Sequence, residues 1–158
     1  MGRLYMKNTI TDLLRKFLDL GFYLEKFYRH FIDNENYALK NTAAILAAEE
    51  RKHIEIYSDL VKETEARDEY PIEDELMGYV NYLLINMKQS LNNYGITTPG
   101  QLIAKAIDNE NKQIFLISQI IEMLSDSALP PDIHEIFKFL LSEEQGQLAN
   151  LLPFNKLI

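Results

Sequence analysis

The spacing of apolar residues constrains this chain more than any other feature. In four long segments, apolar side chains recur every three or four residues, which is the period of an α-helix facing a core. In the first segment, Thr9 to Asp33, these positions are Leu13, Leu14, Phe17, Leu20, Leu24, Tyr28 and Phe31. No segment shows the sustained alternation of Val, Ile and Thr that is typical of a strand. The sequence therefore predicts an all-α protein.

Turn residues and prolines divide the chain into five helical segments. They are expected at Thr9–Asp33, Glu35–Arg67, Glu73–Leu91, Pro99–Ser125 and Asp132–Leu152. Asn34 is expected to cap the second helix, Thr98 to cap the fourth, and Pro153 to end the fifth. Four long helices in two pairs, with a long connection between the pairs, predict a single-domain four-helix bundle with one crossover. The short third helix would lie within that crossover.

Composition excludes several classes of function. The chain has 24 acidic and 16 basic residues and a net charge of −8, so nucleic acid and anionic membrane surfaces are not expected as partners. It has no cysteine, which excludes disulfides, thiolate metal sites and a cysteine nucleophile. No apolar run approaches the ~18 residues of a membrane span, and the segment Met1–Met6 does not resemble a signal peptide. The expected location is the cytoplasm.

One glutamate lies within the apolar stripe of each long helix, where a charged side chain is unusual. These residues are Glu25, Glu50, Glu110 and Glu144. In the third long segment, Pro99–Ser125, the expected core positions around Glu110 are Ile103, Ala106, Ile107, Ile114, Ile117 and Ile121. For any one glutamate a solvated position is the simpler interpretation. Four at matching positions favour a shared role.

Two of these helices repeat a local pattern. The segment Glu49–His53 places Glu50 and His53 three residues apart, so that both side chains project from one face. The segment Glu143–Gln147 matches it position for position, with Gln147 in place of the histidine.

The other two helices also match each other, because a small residue precedes each glutamate by four positions. Gly21 precedes Glu25, and Ala106 precedes Glu110. We expect the small residues to leave room beside the carboxylates. The chain therefore consists of two related halves, each with one lone-Glu helix and one Glu-x-x-His/Gln helix.

Four carboxylates in one core repel one another, and burial disfavours their ionised forms. They must either take up protons or bind cations. Two divalent metal ions supply four positive charges, and histidine adds a neutral nitrogen donor. Oxygen and imidazole ligands suit iron, manganese or zinc.

This order of ligand types resembles the ferritin-like diiron-carboxylate proteins. The run Ala47–His53 is similar to the second-helix motif of the rubrerythrin-type members, and the resemblance extends from about Thr11 to Leu152. The long connection between Glu50 and Glu110 is similar to that of short rubrerythrin-like proteins. The resemblance implies a ferritin-like four-helix bundle with a long crossover that contains a short extra helix.

The resemblance also implies roles for the glutamates. Glu25 and Glu110 would be terminal ligands, Glu50 and Glu144 would bridge two divalent metal ions, and His53 would be a nitrogen ligand. Iron is the first expectation, with manganese or zinc as alternatives. The implied activity is Fe(II) oxidation coupled to the reduction of peroxide or dioxygen. Proteins of this type are usually dimers, so a homodimer is expected.

The chain departs from the resemblance at two points. Gln147 offers a weak neutral oxygen instead of an imidazole. It is either a weak ligand, a hydrogen-bond donor to Glu144, or the mark of a lost site. The lack of cysteine also removes the rubredoxin-like iron site of full-length rubrerythrins, so that electrons for a redox reaction would come from another protein.

Two tyrosines lie one helical turn from proposed ligands. Tyr28 follows Glu25 and Tyr57 follows His53. Each is interpreted either as a core aromatic or as a hydrogen-bonding partner of a metal ligand.

Two other functions fit the same residues. One is a metal-binding or iron-storage protein with a mononuclear site on Glu25, Glu50 and His53. The other is a structural four-helix bundle that binds no metal.

Overall fold

Five α-helices and a terminal 3₁₀ helix make up the computed structural model, which describes residues 7–67 and 70–157. The elements are α1 (Ile10–Arg29), α2 (Tyr37–Glu65), α3 (Asp74–Gln89), α4 (Pro99–Leu124), α5 (Pro131–Leu151) and the 3₁₀ helix Leu152–Leu157. Within these residues the only β-type pairing is an isolated bridge between Thr9 and Pro71. The segment Met1–Met6, to which the expectation about a signal peptide applies, lies outside the described residues.

Side-chain contacts define the directions of the long helices. Thr11 of α1 donates to Thr64 of α2 over 2.9 Å, and Glu25 at the other end of α1 pairs with Arg51. Helices α1 and α2 are therefore antiparallel.

Helices α2 and α5 are also antiparallel. Tyr57 bonds to Glu144, and one end of α2 pairs with the start of α5 through Arg67 and Asp132. Since α4 and α5 pack as a second hairpin, α2 and α4 run parallel, and the two hairpins approach most closely along them. This is the predicted bundle with one crossover.

The crossover contains α3, which packs against α1 and α4. Lys88 near its end pairs with Asp19 of α1, and Asn93 beyond it lies 2.7 Å from a ring nitrogen of His30. Lys112 of α4 donates to Ser90 over 3.2 Å. The crossover thus follows α1 before it enters α4. Among the described residues, no helix is sufficiently long and apolar to cross a membrane.

The helix ends differ from the predictions by a few residues. Asn34 does not cap α2: Asn36 does, by accepting from the Leu39 amide over 3.0 Å. Asn34 instead accepts from the Asn36 amide over 2.8 Å, in the turn before the helix. Thr98 caps α4 as predicted. Helix α5 ends at Leu151, just before Pro153 as predicted, and the chain continues as a 3₁₀ helix.

The predicted stripe of the first helix is buried, whereas that of α4 is rotated. Ile107, Ile114 and Ile121 are only half-buried. The buried face consists of Leu102, Ile103, Ala106, Asn109, Glu110, Gln113, Leu116, Ile117, Ile120 and Leu124. Isoleucines lie all around α4, so apolarity alone does not define its buried face.

Gly21 lies where α1 and α2 approach closely. A Cβ atom there would lie 3.0 Å from Cγ1 of Ile54 and 3.7 Å from the Tyr57 ring. The space beside Gly21 is therefore occupied by side chains of α2, which include the tyrosine that bonds to Glu144. The expectation that this glycine leaves room beside Glu25 is replaced by this packing role.

We expect Gly21→Ala to lower the free energy of unfolding by about 1–3 kcal/mol, because Ile54 must move to accommodate the methyl group. Gly78→Ala is the matched control. Its Cβ would meet no atom within 4 Å, and the substitution in α3 should raise stability by about 0.5–1 kcal/mol. Urea unfolding measures both effects. Equal stabilisation by the two alanines would contradict the close approach at Gly21.

Candidate metal centre

Three carboxyl groups and one imidazole meet in the interior of the bundle. Glu50 of α2, Glu110 of α4 and Glu144 of α5 are each 1% exposed. Nδ1 of His53 lies 3.4 Å from Oε1 of Glu144 and 3.7 Å from Oε2 of Glu50. The structure thus brings together four of the six predicted ligands, although they come from three separate helices.

Hydrogen bonds hold part of this carboxyl–imidazole cluster of Glu50, His53, Glu110 and Glu144. The Tyr57 hydroxyl donates to Oε1 of Glu144 over 2.9 Å, so it is a hydrogen-bonding partner of a predicted ligand. Burial, together with the charge of Glu144, raises the pKa of Tyr57 well above its ordinary value. Tyr57 is therefore a neutral donor at physiological pH.

Six buried polar atoms in and beside this cluster have no hydrogen-bond partner within the described part of the chain. They are both carboxylate oxygens of Glu50, Oε2 of Glu110, Oε2 of Glu144, Nδ1 of His53 and Oε1 of Gln147. An unpaired buried polar group costs roughly 1–3 kcal/mol, so native proteins rarely leave several together. Five of the six are oxygens, and the sixth is a ring nitrogen. These are the donor atoms that first-row divalent metals accept.

Glu25 is engaged differently. Its Oε2 lies 2.7 Å from Nε of Arg51, a residue that is itself more than half exposed. The carboxylate of Glu25 is therefore neutralised by a cation at the surface. The structure places Glu25 in the buried face of α1, but its observed ion pair is with Arg51 and not with the cluster.

Gln147 follows Glu144 by one turn and is 7% exposed. Its side-chain carbonyl oxygen has no hydrogen-bond partner among the residues that the structure describes. Gln147 lies beside His53 in the wall of a cleft between α2 and α5. Gln147, which occupies the histidine position of the Glu-x-x-His pattern, thus faces inward.

Two further polar residues of α4 are buried and were missed by the sequence analysis. Asn109 donates to the Tyr28 hydroxyl over 3.1 Å, so the observed partner of Tyr28 is this amide and not a ligand carboxylate. Gln113 is 1% exposed, and its Nε2 atom has no partner among the described residues. The spacing Glu110-x-x-Gln113 repeats that of Glu144-x-x-Gln147 and would have indicated this residue.

Burial and neighbouring carboxylates shift the titration of the cluster. Burial is the main cause of the raised pKa of Glu50, and burial together with the nearby carboxyl group of Glu144 raises the pKa of Glu110. Burial alone would lower the pKa of His53, but the nearby carboxyl group of Glu50 and the charge of Glu144 outweigh it and raise the pKa to about 9. The folded metal-free protein therefore binds more protons near neutral pH than the unfolded chain does.

We expect the stability of the metal-free protein to fall as the pH rises from about 5 to about 9. Groups with raised folded pKa values contribute stability that is lost as they deprotonate. For Glu50 and Glu110 the loss starts above their ordinary pKa of 4.5, and for His53 it is complete above about 9. Urea unfolding with a chelator present, at pH 5.5, 7 and 8.5, measures this slope. A stability that increases over this range would contradict the buried, proton-binding cluster.

The cluster is not arranged as a preformed metal cage. In the described part of the chain, no three His, Asp or Glu side chains are placed so that they could hold a metal ion. The side chains face one another instead, through the close approach of Glu110 and Glu144 and that of His53 and Glu144. Binding a metal would require these contacts to separate and their protons to leave.

Comparison with known proteins supports the fold. No sequence model of a protein family matches the chain, and no curated protein matches it significantly. A crystal structure from Thermotoga maritima, of a protein provisionally assigned as ferritin-like diiron-carboxylate, is similar over 97% of this chain and 98% of that chain. The TM-score is 0.55 and the sequence identity is 20%. The chain has a ferritin-like helical-bundle fold, as predicted, whereas the rubrerythrin-like subtype stays a prediction.

Proposed function

We propose that this chain is a dimetal carboxylate protein that binds two divalent metal ions, iron foremost, within its bundle. The observation that carries the proposal is the group of unpaired buried oxygen and nitrogen atoms on Glu50, His53, Glu110 and Glu144. A bundle that needed only packing would place apolar side chains at these positions, because isolated buried charges are costly. The fold similarity to a protein assigned as diiron-carboxylate supports the same function.

The donor types and charges of the residues present suit such a pair of ions, once the contacts within the cluster have separated. The ligands would be Glu25, Glu50, His53, Glu110, Glu144 and the carbonyl oxygen of Gln147. Four carboxylates balance the four positive charges of two divalent ions, and imidazole suits iron, manganese and zinc. Glu25 would exchange its bond to Arg51 for a metal, since Arg51 reaches solvent.

We propose that the activity is the oxidation of Fe(II) coupled to the reduction of peroxide or dioxygen. Iron at this position would supply electrons and polarise the O–O bond. The chain itself would hold the ligands: Tyr57 fixes one oxygen of Glu144, and the core of the bundle excludes bulk water. His53 must release a proton before its Nδ1 atom can act as a metal ligand. The electrons for a further cycle would come from an external protein.

Anaerobic loading with Fe(II) followed by addition of peroxide tests this activity. Near-ultraviolet absorbance monitors the oxidation of the iron. We expect this oxidation to be clearly faster with the protein than for the same Fe(II) in buffer. Glu110→Gln, which removes one ligand charge from the interior, should lose the acceleration. Glu122→Gln is the matched control, because Glu122 is exposed on the same helix. Equal rates with and without the protein would exclude the redox function.

A second function is favoured by Gln147. An amide carbonyl is a weaker ligand than imidazole, so one of the two positions has fewer strong donors. This favours a protein that binds or stores one metal ion on Glu25, Glu50 and His53 without turnover. In that case Gln147→His should add a second bound metal, and an unchanged metal content would count against it.

A further inference from the structure

A cleft of about 440 Å³ lies between α2 and α5 and reaches the carboxyl–imidazole cluster. Glu49 and Lys52 line it from α2, and Glu143, Gly146 and Asn150 line it from α5. His53 and Gln147 also line this α2–α5 cleft, although they are only 5% and 7% exposed. They therefore form the deep end of the cleft.

Unpaired polar atoms are buried beneath the deep end of the cleft. Oε1 of Gln147 and Nδ1 of His53 have no hydrogen-bond partner among the described residues. The same Nδ1 atom lies 3.4 Å from Glu144. His53 thus contacts the cleft on one side and a buried carboxylate on the other.

The rim of the cleft is acidic. Glu49 pairs with Lys52 over 3.1 Å, whereas Glu143 is exposed and forms no ion pair with the side chains that the structure describes. Two glutamates against one lysine leave one negative charge in excess at the rim, outside the protonated His53 of the deep end. A cation approaching the opening is attracted, and Glu143 is the carboxylate available to meet it.

We propose that the α2–α5 cleft is the route by which a divalent cation reaches the buried carboxylates. Glu143 binds the cation first at the rim, and the Gln147 carbonyl then accepts it on the way to Glu144. On this interpretation the Gln147 amide binds the cation in transit, which is a different role from that of a permanent imidazole ligand. The inference rests on the proposed function, because it requires a metal site at the end of the route.

Gly146 offers a way to close the cleft. It lies in the wall, and a Cβ atom added there would meet no heavy atom within 4 Å. Leucine at this position would therefore occupy the open space without displacing the core. Gly146→Ala is the matched control, because it changes the backbone propensity in the same direction but leaves most of the space open.

Stopped-flow mixing with Co(II), whose visible absorption reports binding, tests the route. We expect Gly146→Leu to slow association by at least about tenfold while the final number of bound ions is unchanged, and Gly146→Ala to bind at the wild-type rate. Glu143→Gln should slow association about threefold at low ionic strength, with the difference lost at high salt. Glu122→Gln removes the same charge away from the cleft and should have no effect.

The outcomes separate the two proposals. Wild-type protein that binds Co(II), with Gly146→Leu and Glu143→Gln equally fast, would overturn the route alone. Wild-type protein that binds no Co(II) would overturn the metal site itself. If Gly146→Leu fails to fold by circular dichroism, the salt-dependent rate of Glu143→Gln decides: its difference from Glu122→Gln supports the route, and equality overturns it.

Discussion

Saturating Fe(II), added anaerobically, should raise the melting temperature of the metal-free protein by about 8–16 °C. A ligand that binds only the native state, at a thousand times its Kd, adds about 4 kcal/mol of stability. For a chain of this size, each kcal/mol corresponds to roughly 2–4 °C. The effect is large because metal binding would pair the unpaired atoms on Glu50, His53, Glu110 and Glu144 and remove the mutual repulsion of the carboxylates.

Differential scanning calorimetry with and without a chelator measures this shift. Mn(II) should act in the same direction, because carboxylate and imidazole ligands also suit it. The shift should be smaller at pH 5.5 than at pH 7.5, since Glu50, Glu110 and His53 must lose protons before they bind a metal. An identical melting temperature in chelator and in Fe(II) would indicate a structural bundle instead.

The double variant Glu50→Leu with Glu110→Leu should be more stable than the wild-type protein when no metal is present, by about 1–4 kcal/mol at pH 8. Both carboxyl groups have raised pKa values because burial penalises their charge. Leucine of similar length removes this penalty and also removes three of the unpaired oxygens. The same variant should not be stabilised by Fe(II). The higher stability without metal and the lost effect of Fe(II) would both result from removing the two carboxyl groups.

Chemical unfolding at pH 5.5 and pH 8 measures both parts of this prediction. The decrease of stability with pH should be weaker in the double variant than in the wild-type protein. Glu122→Leu is the exposed control and should change stability by no more than about 0.5 kcal/mol. A double variant less stable than wild type at pH 8 would mean that these glutamates contribute to the fold instead of opposing it.

Periodicity predicted the helices and much of the candidate site because burial acts directly on side-chain spacing. Glu50 and Glu144 are flanked by apolar positions on both sides, and both are buried. Helix α4 was harder, since it has isoleucines on several faces. Its buried face is fixed by contacts with Tyr28 and with the other helices, and only those contacts identify Asn109 as a buried amide.

Contacts between distant residues could not be predicted from spacing. The ion pair of Glu25 with Arg51 joins two helices, and its arginine lies in the segment already singled out for Glu50 and His53. The close approach at Gly21 depends on the position of Ile54 across the hairpin. The choice of Asn36 over Asn34 as the cap of α2 depends on the conformation of a turn, in which both residues are plausible hydrogen-bond acceptors.

The number of metal ions per chain tests the central claim most directly. Protein purified without chelator and without a nickel column, then reconstituted anaerobically with Fe(II) and desalted, is measured by inductively coupled plasma mass spectrometry. A dimetal centre predicts about two ions per chain, because two divalent ions balance the charge of four carboxylates. One ion per chain would favour the mononuclear site. No retained metal would contradict the claim and leave a ferritin-like bundle whose buried glutamates serve another purpose.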